Sequence, residues 1–338
     1  MRRFFLRLKL PLFSVTIGGI LLLACSSWGF LVHRTINQLA VYQLPRPMQT
    51  FFWKNRDYLV QQAPRPDIRR NSDPQEAPRH FIDLEAYGDS AAWKMPLHWD
   101  DAVRSYTVDT LKKYGYVPYE IQRISHLLTE AFRRSDRDSI LFYAADLGHY
   151  IGDANVPLHS SINYDGQLTG QRGLHSLWES TVPELGMDTW RLRDQHKARY
   201  LDDPATAIWM AIRHGHDLVK DVLQQEREAS KGLNDTVKYH RETRNGREYR
   251  TYTKTFATAY ASRLGNTVNE QLLRSADLIA DFWYTAWVDG GKPDLDVLLT
   301  LPSDKNDKQL RKTENKAWRR NKLIEKKMLI SRLQPAGD

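Results

Sequence analysis

LGHYIGDANVPLHSSINYDGQLTGQRGLHSLWES, residues 147–180, is the stretch that decides how this 338-residue chain folds. His149 and Asp153 stand four apart, and so do His175 and Glu179. On a helix that spacing puts both members of a pair on one face, about one turn apart, where they can chelate one metal ion. His159 follows Pro157, beyond the expected end of the first helix, and can turn toward the same region. A single His-x3-Asp pair is more often a surface ion pair than a ligand set. Two such pairs with a histidine between them point to a metal centre.

Further donors lie upstream. Asp67 sits in APRPDIRR, His80 in EAPRHFIDLE, and His33 five residues past Trp28 in WGFLVH. Asp73 also precedes His80 and stays open as an alternative to Asp67. Imidazole and carboxylate without thiolate suit zinc held for hydrolysis better than a closed, thiolate-rich structural site. His98, His126, His196, His214, His216 and His240 fall outside these motifs and receive no role.

Ahead of Trp28 the chain reads as an export leader, residues 1–27. Arg2, Arg3, Arg7 and Lys9 form its basic end, Leu10 to Ala24 its apolar stretch, and Cys25-Ser26-Ser27 a small-residue cleavage zone. Two mature ends are open. Cleavage before Cys25, the only cysteine, in the lipobox-like LLAC would give a lipid-anchored protein, whereas cleavage after Ser27 would free the Trp28 amine. The expected location is secreted or periplasmic.

Downstream and between the motifs, apolar residues recur at three- and four-residue intervals, for example over 100–114, 121–134, 139–150, 205–225 and 253–287. Glycine and proline cluster between these segments. The expectation is an all-α chain with one multi-helix domain over residues 28–302 and a basic, partly helical tail over 303–338. The net charge of +8 belongs to the two ends. Residues 1–27 carry four basic and no acidic residues and the tail eleven against five, which leaves the body at about −2. Charge therefore says little about the substrate. Leu310, Trp318, Leu323, Ile324, Met328 and Leu329 could form a basic amphipathic helix with weak membrane-surface contact. A solvated extension is the preferred reading of the tail.

Taken in order, WGFLVH, PDIRR, HFID, LGHYIGD with VPLH, and LHSLWES resemble the zinc-dependent phospholipase C and single-strand-specific nuclease family of the nuclease P-one type. That resemblance implies three zinc ions. Asp67, His80, His149 and Asp153 match the ligands of one, with Asp153 bridging to a second completed by Trp28, through its free amine and carbonyl, and by His33. His159, His175 and Glu179 match the set around the third. Arg70 matches the family's phosphate-binding arginine, which favours Asp67 over Asp73. The implied chemistry is in-line attack on phosphorus by zinc-bound hydroxide, oriented by Asp153.

Substrate class divides on small signals. Phe81 and Asp83 match residues that stack on and hydrogen-bond a nucleobase, but the phospholipases are similar there. Leu31 stands where choline-selective phospholipases have a glutamate, and a leucine cannot pair with a quaternary ammonium. Glu179 looks like the phospholipase glutamate and departs from the nuclease aspartate. Single-stranded nucleic acid or nucleotides are the expected substrate, phospholipid the alternative, and zinc binding without catalysis a third reading.

Overall fold

Side-chain caps and prolines set where several of the helices begin. A computed structural model describes residues 29–244 and 247–333. The leader, Cys25, Trp28 and the last five positions lie outside them. The elements used below are α1 (Phe30–Gln43), α2 (Arg65–Arg69), α3 (Val117–Arg133), α4 (Arg137–Ala154), α5 (Pro204–Ser230), β1 (Tyr239–Arg244), β2 (Arg247–Tyr252), α6 (Lys254–Leu264), α7 (Thr267–Asp289) and α8 (Lys305–Arg319). Asp136 caps α4 by accepting the Ser139 N–H at 3.2 Å, and Asp203 caps α5 by accepting that of Thr206 at 3.0 Å. Pro118 and Pro204 sit in the first turns of α3 and α5, where a missing N–H costs nothing.

α4 is the centre of the molecule. It pairs with α3 as a helical hairpin and is also packed by α1 and α7. Thirteen of its eighteen residues are buried, including both His149 and Asp153. Two glycines let α1 approach. A Cβ at Gly148 would stand 1.8 Å from Asn37 Oδ1, and one at Gly152 would stand 2.7 Å from Ile36 Cδ1 and 3.0 Å from His33 Nδ1. Around this core lie Phe51, Phe52, Tyr150, Trp209, Phe282 and Trp283, all fully buried. Each such side chain contributes about 1.5–3 kcal/mol on leaving water. A second apolar cluster, built on Leu158, Leu174, Trp178, Val222, Phe256 and Tyr260, lies beneath the 156–182 stretch.

Among the described residues the fold is all-α apart from one hairpin, β1 paired antiparallel to β2 with Tyr239 opposite Tyr252. The sequence reading misses it, although Asn245-Gly246 between two short runs is a hairpin signature. The tail needs a correction. It is not a solvated extension: Trp318, Leu323 and Leu329 are buried in the main core. Trp318 stacks on Tyr42 of α1 at 5.4 Å, and Glu314 accepts from Trp53 Nε1 at 2.9 Å and from Tyr42 Oη at 2.5 Å. Of the apolar residues that could have faced lipid, Trp318, Leu323 and Leu329 turn inward, Ile324 and Met328 pack partly against the core, and Leu310 stays exposed. Among the described residues, no helix is long and apolar enough to cross a membrane.

Candidate metal centre

α4 supplies His149 and Asp153 from adjoining turns, and α1, seated on the two glycines, brings His33 to stack on His149 with ring centroids 4.0 Å apart. Asp67 comes from α2, and His80 from the end of a short turn, Ala77–Arg79. Asp153 divides its oxygens. Oδ2 faces His80 Nδ1 at 2.9 Å and His149 Nε2 at 3.2 Å, whereas Oδ1 faces His33 Nε2 at 3.5 Å. A carboxylate turned two ways in this manner can bridge two ions. Asp67 Oδ1 closes the first group, 3.6 Å from His80 Nδ1 and 3.9 Å from His149 Nε2.

A second group stands on the second apolar cluster. His175 lies in a short helix, Leu174–Ser176, that passes into one turn of π-helix, Leu177–Thr181, carrying Glu179. Such turns often accompany functional sites. Glu179 Oε2 lies 2.8 Å from His175 Nε2 and 3.5 Å from His159 Nε2, and the two imidazole nitrogens are 2.8 Å apart. Glu179 Oε1 faces His33 at 3.7 Å, so this carboxylate also reaches between groups.

These donors fit a cation. Ligands held about 2.0–2.1 Å from a tetrahedral zinc stand roughly 3.3 Å from one another, and the separations above cluster about that value. The backbone orients the rings: His149 Nδ1 donates to the Ala63 carbonyl at 2.9 Å and His159 Nδ1 to the His80 carbonyl at 2.7 Å. Each therefore presents an Nε2 lone pair to its group. Four combinations of these residues could each hold an ion: His33 with Asp67 and His149, His80 with His149 and Asp153, His159 with His175 and Glu179, and His33 with Asp153 and Glu179. Burial, the largest influence on Asp153 and Glu179, pushes both carboxyls up. The surrounding histidines outweigh it and hold both well below the usual range. Burial, followed by the charge of His33, lowers His149.

Most of the expected residues meet here, and a few do not. Asp73 lies 4.0 Å from Arg79 and is in none of the donor groups, whereas Asp67 is in one. Arg70 is half exposed and points Nη1 to Asp67 Oδ1 at 3.4 Å. Phe81 is partly exposed with its ring over Gly115, where a Cβ would come within 2.6 Å of Phe81 Cδ2. Burial, then Glu85, pushes the Asp83 carboxyl up to about 6. Leu31 is corrected: it is buried in the main core, because α1 turns that face inward, and is not placed as an open substrate contact. Trp28 lies outside the described residues.

Sequence reasoning missed the layer behind the donors. Glu76 is fully buried, with Oε1 3.4 Å from His80 Nε2, and is bound by Arg69 and Arg79. Arg65 and Arg69 both grip Asp146, three residues before His149, and so tie α2 to α4. Glu76 lies four residues before His80, the one available signal, but the intervening Pro78 breaks any helical reading.

The model of one protein family, S1/P1 Nuclease, matches residues 28–281. The chain belongs to the S1/P1 nuclease family. Solved structures that resemble this S1/P1 family member include Alpha Toxin from Clostridium Absonum, with a TM-score of 0.45 and 14% identity over 82% of this chain and 67% of that one. The alpha-toxin of Clostridium perfringens from avian strain SWCP gives a TM-score of 0.43 and 14% identity, covering 77% of this chain and 65% of that one. No curated protein sequence matches. As a member of this family, the protein is a zinc-dependent phosphoester hydrolase of the nuclease kind, and its clustered histidines and carboxylates could hold the metal.

Proposed function

We propose that the protein is an exported nuclease or nucleotide phosphodiesterase that cuts single-stranded nucleic acid at a three-zinc centre. The observation that carries this reading is the divided Asp153 carboxylate, with one oxygen toward His80 and His149 and the other toward His33. Asp67, His80, His149 and Asp153 hold one zinc, His159, His175 and Glu179 another, and Asp153, His33 and Trp28 a third. Gly29, which follows Trp28 in the sequence, is close to the donors: a Cβ there would lie 3.3 Å from Glu179 Oε1. Zinc bound at such a centre supplies Lewis acidity and lowers the pKa of water.

The protein's own groups do the rest. Asp153 fixes the direction of approach to phosphorus, and Arg70, free to swing from Asp67, neutralises charge on the phosphoryl oxygens. Phe81 offers a ring face to a base and Asp83 a carboxyl to its edge. Phospholipid stays as a second reading because exposed Ile68 adjoins Asp67, and exposed Ile162, Tyr164 and Leu168 lie on the loop between His159 and His175.

The test is release of nucleotides from single-stranded DNA against release of phosphocholine from phosphatidylcholine vesicles, each with zinc and with a chelator. Zinc-dependent nucleotide release alone is expected. Phosphocholine release alone would overturn the substrate assignment, and zinc binding without either would overturn catalysis. N-terminal sequencing of the exported protein is expected to begin at Trp28. A lipidated Cys25 at that end would remove the amine ligand.

A further inference from the structure

Glu76 turns Oε1 to His80 and Oε2 to Arg79, 2.6 Å from Arg79 Nη1, and beyond Arg79 the surface opens into a cavity of about 520 Å³. Arg79, Lys112 and Arg123 line it against one carboxylate, Glu120, with Trp99 and Tyr116 among its aromatic residues. Arg123 and Arg79 are partly balanced by Glu120, at 2.6 Å and 3.8 Å. Lys112 is exposed and makes no ion pair among the described residues. Trp99 and Tyr116 stand with ring centroids 5.4 Å apart, tilted at 59°. The volume lies within the range of small-molecule sites, about 300–1,000 Å³.

The cavity is joined to the metal centre by backbone. Tyr116 N donates to the Pro78 carbonyl at 2.8 Å, Val117 N to that of Phe81 at 3.1 Å, and Asp83 N to that of Tyr114 at 2.7 Å. The segment bearing His80 and Phe81 therefore lies beside the one bearing Tyr116, with the Phe81 ring over Gly115. Tyr116, with Trp99 beside it, thus stands on a segment tied by backbone to the one bearing Phe81, and Arg79, Lys112 and Arg123 line the same cavity. Bases stack on such rings whatever their sequence, and cations take the phosphates between them.

We propose that this cavity is a second nucleotide subsite, which receives a base and phosphate of a single strand whose scissile bond lies at the metal centre. The proposal rests on the nuclease reading above. The experiment is fluorescence anisotropy of a labelled, cleavage-resistant phosphorothioate oligodeoxythymidylate on zinc-loaded protein, over a range of salt concentrations. Trp99→Leu is expected to weaken binding about tenfold. Lys112→Gln is expected to weaken it and to reduce the slope of log affinity against log salt by about 0.7, the signature of one lost phosphate contact. Lys308→Gln, on the exposed side of α8, serves as the control. If both cavity variants behave as the control does, or if the wild type fails to bind, the subsite is wrong. Hydrolysis of a dinucleotide by the wild type is followed in parallel. Its absence would overturn the nuclease reading, while the anisotropy would still decide whether the cavity takes nucleotides.

Discussion

At the scale of single residues, the candidate donors could be read from the sequence and their supports could not. His149, Asp153, His175 and Glu179 announce themselves by a four-residue spacing. The carbonyls of Ala63 and His80 that orient two of the rings have no sequence signature at all. Glu76 is the most testable of the hidden groups. Its carboxylate faces His80 Nε2 from full burial and leaves Nδ1 for the metal. Substituting Glu76→Gln is expected to weaken zinc affinity about 10–100-fold, as for other carboxylates behind metal-bound histidines. Competition with a chromogenic chelator measures it, and an unchanged affinity would mean that His80 needs no such partner.

At the scale of elements, the joints matter more than the helices. Gly148 and Gly152 sit within the motif that carries the ligands, yet periodicity alone does not reveal that α1 packs on them. Asn37 is fully buried and donates to the Leu59 and Ala145 carbonyls, so it has little room to yield to a Cβ at Gly148. Gly148→Ala is therefore expected to cost about 1–3 kcal/mol in chemical denaturation and to lower bound zinc by displacing His33. A second joint is the extended segment 191–201, which runs over α7. Asn269 holds Arg191, Asp281 accepts from the Arg199 N–H at 2.8 Å, and Thr285 from that of Leu201 at 2.9 Å. Beside it, burial foremost and then Asp194 push the Asp277 carboxyl up to about 7, against the opposing pull of His196 and Gln43. A raised carboxyl favours the folded state at low pH, and that contribution disappears as pH rises through about 7. Asp277→Asn keeps the neutral form at every pH. Its melting temperature should exceed that of wild type more at pH 8 than at pH 5, and a gap independent of pH would refute the assignment.

At the scale of the whole molecule, the candidate donors come from chain segments between residues 33 and 179 and rest on two separate apolar clusters. Zinc would therefore tie these clusters to one another as well as serve catalysis. Chelation is expected to lower the melting temperature in calorimetry, since a ligand present at 100 times its Kd contributes about 2.7 kcal/mol per site. Equal melting temperatures with and without zinc would show that packing alone holds the clusters together. The all-α architecture was legible because helical periodicity and ordered ligand motifs agree along most of the chain. The tail was misjudged because charge dominates its composition, whereas its few apolar side chains decide where it goes. Its return to α1 bears on the order of folding. Thr35 Oγ1 and Ser331 Oγ meet at 2.8 Å across 296 residues of sequence, and Gln38 donates to the Met328 carbonyl at 2.7 Å nearby. Contacts of such long range slow the search for the native state, so the outer flank of α1 closes late. His33 is carried by that same helix, so an ion that it helps to hold should be captured late as the chain refolds.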